Sequence, residues 1–82
     1  MIIYEVYGVF QTRIREKEVD YMDDNYVWKD GLYSPRYSST ASHEPTMKLA
    51  LLTAVQITHD KIKFLENNYK ELESELLERI KE

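Results

Sequence analysis

The C-terminal residues 46–82 read TMKLALLTAVQITHDKIKFLENNYKELESELLERIKE and contain neither Gly nor Pro. Leu, Glu, Lys and Ala dominate this stretch, and these residues favour helix. At 1.5 Å per residue, one continuous helix over it would run roughly 55 Å. The preceding residues are too few to cover a helix of that length. We therefore expect its distal half to extend beyond the rest of the fold.

Apolar residues follow a heptad pattern along this predicted helix. Every seventh position from Val55 is apolar, and a second row begins at Leu51 and includes Thr58. Two such rows predict a coiled-coil seam. We expect a homo-oligomer, either a dimer or a tetramer, because a long uncovered apolar stripe is an interaction surface. The predicted interface consists of Val55, Ile62, Leu65, Tyr69, Leu72 and Leu76.

The sequence leaves the orientation of the associating helices open. In a parallel dimer Lys61 would face the partner's Glu66 favourably, but a single charge pair is weak evidence. Tyr69 and Thr58 at core positions fit a tight parallel dimer poorly. An antiparallel pair or a four-helix arrangement therefore stays open.

Length and composition indicate a single small domain. A chain of 82 residues buries only about 60–65% of its unfolded surface, and oligomerisation commonly compensates for so small a core. The chain has no Cys, which excludes disulfides, thiolate metal sites and Cys nucleophiles. No signal-peptide pattern and no apolar run long enough for a membrane span are present. We expect a cytoplasmic protein that has no membrane association.

The charge balance argues against nucleic-acid binding. The chain has 11 basic and 15 acidic residues, for a net charge of −4. The excess of acidic residues is the same in both halves of the chain, so neither half is a basic module. Because phosphate neutralisation dominates affinity for nucleic acids, a nucleic-acid partner is disfavoured.

The N-terminal half is predicted to be rich in strand. Residues 2–10 read as a central strand, since both faces of the stretch are largely apolar. Residues 25–33 read as a hairpin, because Asp30-Gly31 supplies the positive-φ residues of a tight turn. Residues 12–22 are ambiguous; a short helix capped by Thr12 is favoured slightly over a strand.

Residues 34–45 show no periodicity and read as a loop that leads into the long helix, with Ser42 as a candidate N-cap. The fold class is α+β: a small antiparallel sheet, formed by the N-terminal strand and the hairpin, packs on one long C-terminal helix. The whole chain, residues 1–82, is one domain. It has a sheet-rich head (residues 1–41, with the loop 34–45) and a helix (residues 46–82).

Aromatic residues are the main compositional indication of function. The chain has seven Tyr and one Trp, and six of the Tyr precede residue 40. Tyr and Trp are preferred anchors of protein interfaces because they are large, stiff and amphipathic. We expect a protein-binding surface with a charged rim of Asp23 and Asp24, and with aromatic contacts from Tyr26, Trp28, Tyr33 and Tyr37.

An alternative is a site for a nucleotide or another phosphorylated small molecule at the start of the long helix. Free backbone N–H groups and the helix dipole attract anions there, and Arg and hydroxyl groups could complete the site. Its residues would be Arg36, Ser38, Ser39 and Thr40. An ordinary polar loop explains the same residues more simply, because no Gly-rich phosphate motif is present.

Other polar groups have simpler explanations than a catalytic site. The acidic residues around Asp20 lack the spacing of a calcium loop and read as a solvated turn. His59 flanks the seam and reads as an interface residue, while His43 and Glu44 read as neighbours of the helix cap. Since no groups converge on a reaction centre, we expect no enzyme activity, no cofactor and no metal.

The sequence therefore predicts a small acidic interaction protein that associates through its helix and binds another protein through an aromatic surface. By association alone, short chains of this build are often regulators or inhibitors, including those of phages and mobile elements.

Overall fold

A computed structural model describes residues 1–81 and shows an α+β fold. Six short strands precede one helix of 35 residues. The elements in chain order are β1 (Ile2–Tyr7), β2 (Arg13–Glu18), β3 (Tyr21–Met22), β4 (Tyr26–Lys29), β5 (Leu32–Pro35), β6 (Ala41–Glu44) and α1 (Met47–Lys81). The predicted long helix is confirmed, and Glu82 lies outside the described residues.

The first sheet has the strand order β2-β1-β6, and both pairings are antiparallel. β1 is therefore a central strand, as its two apolar faces predicted. It is shorter than the predicted residues 2–10, because the chain turns at Gly8, whose φ is 115°. A side chain is disfavoured at that φ, which explains a glycine at this turn.

The second sheet has the order β3-β4-β5. The predicted hairpin forms β4 and β5, and its turn has positive φ at Asp30 (53°) and Gly31 (77°). One part of the fold prediction was wrong: the hairpin and the N-terminal strand belong to different sheets. β1 takes its neighbours from residues 13–18 and 41–44 instead.

The helix favoured for residues 12–22 is wrong, because this segment forms β2 and β3. Ile14 pairs with Val6 and Arg15 pairs with Glu5 across the β1–β2 ladder. Local charges are compatible with either structure, but a strand allows both basic residues, Arg15 and Lys17, to reach the Glu5 carboxylate. Pairing with a distant strand decides the conformation here.

The loop predicted at residues 34–45 is wrong at both ends. Ser34 and Pro35 complete β5, and residues 41–44 form β6 on the edge of the first sheet. Ser42 lies in β6 and is not the N-cap. Thr46 has that role, since its Oγ1 accepts a hydrogen bond from the backbone N–H of Leu49 at 3.2 Å.

The core is small and lies between the two sheets. Ile3, Val19 and Val27 are buried together, and Met22 packs against them. Val6 and Ala50 are also buried, and Ala50 is the one helix residue in that class among those described. A head with so few buried apolar side chains covers little of the helix.

The helix packs on β1, β2 and β6 through its first half. Thr53 donates a hydrogen bond to Glu44 at 3.1 Å, and Thr58 donates one to Thr12 at 3.1 Å. Lys61 Nζ donates to the Gly8 carbonyl at 3.1 Å. Beyond Lys61 the helix projects from the head, so the molecule measures 61 × 24 × 18 Å.

Gly8 offers a test of this turn. A Cβ at Gly8 would overlap the backbone O of Gln11, and the φ of 115° is also unfavourable for a side chain. We expect Gly8→Ala to lower the free energy of unfolding by roughly 2 kcal/mol or more. Urea denaturation at a fixed protein concentration measures the effect.

Gly31→Ala is the matched control, because nothing lies within 4 Å of its added Cβ and only the φ of 77° opposes it. Its expected cost is about 1 kcal/mol. If Gly8→Ala were no more destabilising than Gly31→Ala, the close approach at the Gly8 turn would be contradicted.

Candidate interaction surfaces and a buried ionic cluster

The predicted seam lies on the surface along its whole length. Its six predicted interface residues are each between 52% and 67% exposed. They lie beside the face of α1 that contacts the head, because Leu65 follows Lys61 by one turn and Thr58, in the same rows, donates a hydrogen bond to Thr12 of the head. An apolar stripe of this length exposed to water is unfavourable, which makes this face a candidate interaction surface.

A groove of ≈ 360 Å³ interrupts the proximal part of this stripe at Thr58. Thr58 is smaller than the Val, Ile and Leu residues around it, and its hydroxyl donates to Thr12 of the β1–β2 turn at 3.1 Å, so the groove lies between the helix and this turn. The groove is lined by Thr12 of the β1–β2 turn and by the helix residues Leu51, Ala54, Val55, Thr58, His59 and Ile62.

A second apolar patch lies where the β1–β2 turn meets the helix. Phe10 is 98% exposed, and Val9 and Phe64 are also exposed. Together with Ile57 and Leu65 they line a groove of ≈ 520 Å³. This patch borders the seam at Leu65 and enlarges the apolar surface of the helix.

The second sheet presents an aromatic surface, formed by Tyr26, Trp28, Tyr33 and Tyr21. The ring centroids of Trp28 and Tyr33 are 5.0 Å apart, and those of Tyr26 and Tyr33 are 5.2 Å apart. The strand registers place Tyr21 and Tyr33 on either side of Trp28. The alternate residue Val27 points into the core, so this face of the sheet looks outward.

Three of the four predicted aromatic contacts thus come together, and Tyr37 does not join them. Tyr37 stacks under the Arg36 guanidinium at 5.1 Å and donates its hydroxyl to Glu44 at 3.1 Å. Burial raises the pKa of Tyr37, and donation to the Glu44 carboxylate raises that pKa further. Tyr21 was missed, because its segment was interpreted as helix and the alternation of a strand was not applied to it.

The predicted acidic rim has a structural role at one of its two residues. Asp23 accepts hydrogen bonds from the backbone N–H groups of Asn25 (2.8 Å) and Tyr26 (2.6 Å), which closes the turn before β4. These two bonds lower the pKa of Asp23. The Trp28 indole N–H, directed toward the same carboxylate, makes no hydrogen bond of good geometry. Asp24 is exposed.

The residues of the alternative anion site are largely occupied with internal contacts. Arg36 donates to the carbonyls of His43 (3.0 Å) and Asp23 (3.2 Å) and pairs with Glu44 at 3.4 Å. Ser38 closes its own turn, since its Oγ accepts from the backbone N–H of Ala41 at 3.2 Å. Thr40 and Ser39 are exposed beside that turn.

A buried ionic cluster is the main polar feature that the sequence analysis missed. The Glu5 side chain is buried in β1, where Arg15 Nε donates to it at 2.5 Å and Lys17 approaches at 3.4 Å. His43 Nε2 lies 2.9 Å from Glu5 Oε2, and its Nδ1 lies 2.9 Å from the Arg36 carbonyl. Both neighbours are acceptors, and the tautomer of the ring decides which nitrogen donates.

His43 and Glu44 therefore belong to the interior of the head, and their prediction as neighbours of a helix cap was wrong. A polar stretch of the type Ser-His-Glu gives no sign of burial. Only the pairing of β6 with β1, which places His43 beside Glu5, shows the role.

The cluster sets the pKa of Glu5 by opposing effects. Burial raises the pKa of Glu5, but hydrogen bonds from Arg15 and His43 and the positive charge of Lys17 outweigh it, so the pKa lies below 4.5. The charged form is thus favoured in the folded state.

Comparisons of this chain with protein families, with curated proteins and with solved structures find no match. Within residues 1–81, no helix has the length and apolarity to cross a membrane. The same residues contain no group of three or more His, Cys, Asp or Glu side chains that could hold a metal ion.

We expect Glu5→Gln to destabilise the fold by about 3 kcal/mol at pH 7, because it removes the buried charge that pairs with Arg15 and Lys17. Since folding lowers the pKa of Glu5, its contribution is complete above the unfolded-state pKa and is lost as the pH falls through the folded-state pKa. The wild type should therefore lose stability below about pH 4.5, and Glu5→Gln should lose less.

Denaturant unfolding at pH 7 and pH 3.5 measures both effects. Glu16→Gln is the control, because Glu16 is exposed on the neighbouring strand and should change stability by less than about 0.5 kcal/mol. Equal effects of the two substitutions at pH 7 would argue against a stabilising cluster at Glu5.

Proposed function

We propose that this chain is a non-enzymatic interaction protein that self-associates through α1 and presents its aromatic surface to another protein. The exposed apolar seam is the observation that carries the proposal. Six large side chains spaced as a heptad lie uncovered on α1, beside the face of the helix that the head contacts. Association is the way in which such a stripe leaves water.

The aromatic surface supports the second half of the proposal. Tyr26, Trp28 and Tyr33 form a contiguous outward cluster on a rigid sheet, which is the composition of interface hot spots. A role as a regulator or inhibitor fits a small protein of this kind, in which binding is the whole activity.

The anion-binding alternative has less support than the interaction surface. A phosphate site needs Arg36 and its hydroxyl neighbours to be available for the ligand. Arg36 instead makes three contacts within the head, and Thr46 already caps α1. We retain the interaction protein as the proposed function.

Leu72→Glu tests self-association. The substitution puts a charge in the middle of the distal seam, well beyond Lys61, where the helix is hydrogen-bonded to the head, so the fold of the head should persist. We expect the wild type to sediment as a dimer or tetramer and the variant to dissociate at least tenfold more readily, since burying a charge opposes the interface. Sedimentation equilibrium measures the change.

Ser74→Glu is the matched control, because it adds the same charge on the same helix two residues away, outside the seam. It should sediment like the wild type. A wild-type chain that stays monomeric at high concentration, or equal dissociation by both variants, would overturn self-association through this face.

Tyr33→Ser tests the aromatic surface. Tyr33 is 63% exposed, so its loss should leave the fold intact while removing the centre of the cluster. Leu32→Ser is the control, because Leu32 is also exposed but alternates to the other face of β5. In quantitative capture from cell extract, we expect partners held by the wild type and the control to be lost with Tyr33→Ser. Equal capture by all three would contradict this surface.

A further inference from the structure

The seam contains two residues of unequal size, and they bear on the orientation of the partner helix. Tyr69 is the largest residue in one row, and Thr58 is the smallest in the other. In a parallel pair each residue faces its own copy, so one layer holds two Tyr and another holds two Thr. The first layer is overfilled and the second is underfilled, and both defects oppose close packing.

In an antiparallel pair the two rows face each other, so a large residue can oppose a small one. The groove at Thr58 lies where the seam meets Thr12 of the β1–β2 turn, and it is open to solvent on its outer side. Its walls are the apolar residues Val55 and Ile62, which are one helical turn before and after Thr58. A Tyr ring from a second helix can lie against this shallow, apolar site.

One placement fixes the whole register. If Tyr69 lies over the partner's Thr58, the heptad spacing puts Leu76 opposite the partner's Leu51. The same spacing puts Ile62 opposite the partner's Leu65, and Leu72 opposite the partner's Val55. These three layers each pair two aliphatic residues, and the helices overlap from end to end.

The register also pairs apolar residues beside the seam. Leu52 and Ile80 are both more than half exposed, and each lies just outside the two rows. In the antiparallel register Leu52 lies next to the partner's Ile80. In a parallel pair Ile80 lies next to the partner's Glu75 instead, which leaves an apolar residue against a charge.

The charge pair that favoured a parallel dimer is weakened in the structure. Lys61 Nζ donates to the Gly8 carbonyl at 3.1 Å and to Thr12 Oγ1 at 3.2 Å. Lys61 is thus held toward its own head and is not directed at the partner's Glu66. The sizes of Tyr69 and Thr58 instead favour the antiparallel orientation.

Two contacts between charged residues do not favour the antiparallel orientation: one opposes it, and the other is unfavourable in both orientations. In the antiparallel register Glu66 lies near the partner's Glu66, but an exposed pair of this kind has a small effect that salt screens. Lys48 and Arg79 fall at the outermost layers, where either orientation brings two cations together. Neither contact outweighs the packing of the central layers.

We propose that the seam is covered by a second copy of this chain running antiparallel, with Tyr69 of each protomer in the groove over the partner's Thr58. The proposal rests on the self-association proposed above and adds its direction and register. In this arrangement the two heads lie at opposite ends of the helix pair.

Single cysteines test the direction, because the chain has no native Cys. Leu51→Cys and Leu76→Cys are prepared separately, and one of them is ¹⁵N-labelled. Each variant alone, and a mixture of the two after subunit exchange, is then treated with a short bismaleimide cross-linker. In the antiparallel register the thiol introduced by Leu51→Cys meets the one introduced by Leu76→Cys on the partner. In homodimers of either variant the two thiols are about 37 Å apart along the helix.

We expect cross-linked dimers only from the mixture. Peptide mapping should show that each cross-link joins a labelled chain to an unlabelled one. Asp60→Cys with Asn67→Cys is the matched control pair, because these residues have the same antiparallel relation on the outer face and should not cross-link. Cross-linking of each variant alone, and none between them, would establish a parallel pair and overturn the proposal while leaving self-association intact.

Sedimentation of the same variants separates the two proposals. A monomer that yields no cross-link under any condition overturns self-association and therefore this register as well. An oligomer whose mixture yields no product joining Leu51→Cys to Leu76→Cys overturns the register alone.

Discussion

The Glu5 carboxylate is the contact on which the head depends. It lies on the central strand β1 and is held from both sides, by Arg15 and Lys17 of β2 and by His43 of β6. The apolar core beside it is small, and in β1 it includes only Ile3 and Val6 among the described residues. Since α1 docks on these strands, the position of the helix depends on a buried charge that its partners must compensate.

Sequence patterns were sufficient to predict the elements whose conformation depends on neighbouring residues in the chain. A stretch of residues without Gly or Pro predicts α1 almost to its last residue, and Asp30-Gly31 predicts the hairpin turn. The exposure of the seam followed from the ratio of helix length to head size. These features need no knowledge of what lies far away in the chain, and they include the surface on which the proposed function rests.

The other strands, and the buried ionic cluster, depend on contacts between residues that are far apart in the sequence. Residues 13–18 and 41–44 carry mixed charges and small polar side chains, and only pairing with β1 makes them strands. The pairing also brings Glu5 and His43, which are 38 residues apart, to 2.9 Å. A single sequence offers no means to match these positions. The same limit hid Tyr21, which joins the aromatic cluster through its register with Trp28.

The position of the outward aromatic face on an elongated molecule affects how an assembly of copies can bind a target. Each copy carries one such face on a head at one end of a 61 Å particle. An assembly of copies therefore presents the face more than once, and at separated points. On a repetitive or oligomeric target, the second contact becomes intramolecular, so that avidity multiplies a weak individual affinity. In the assembly proposed above, each single contact can be weak while the complex as a whole is held firmly.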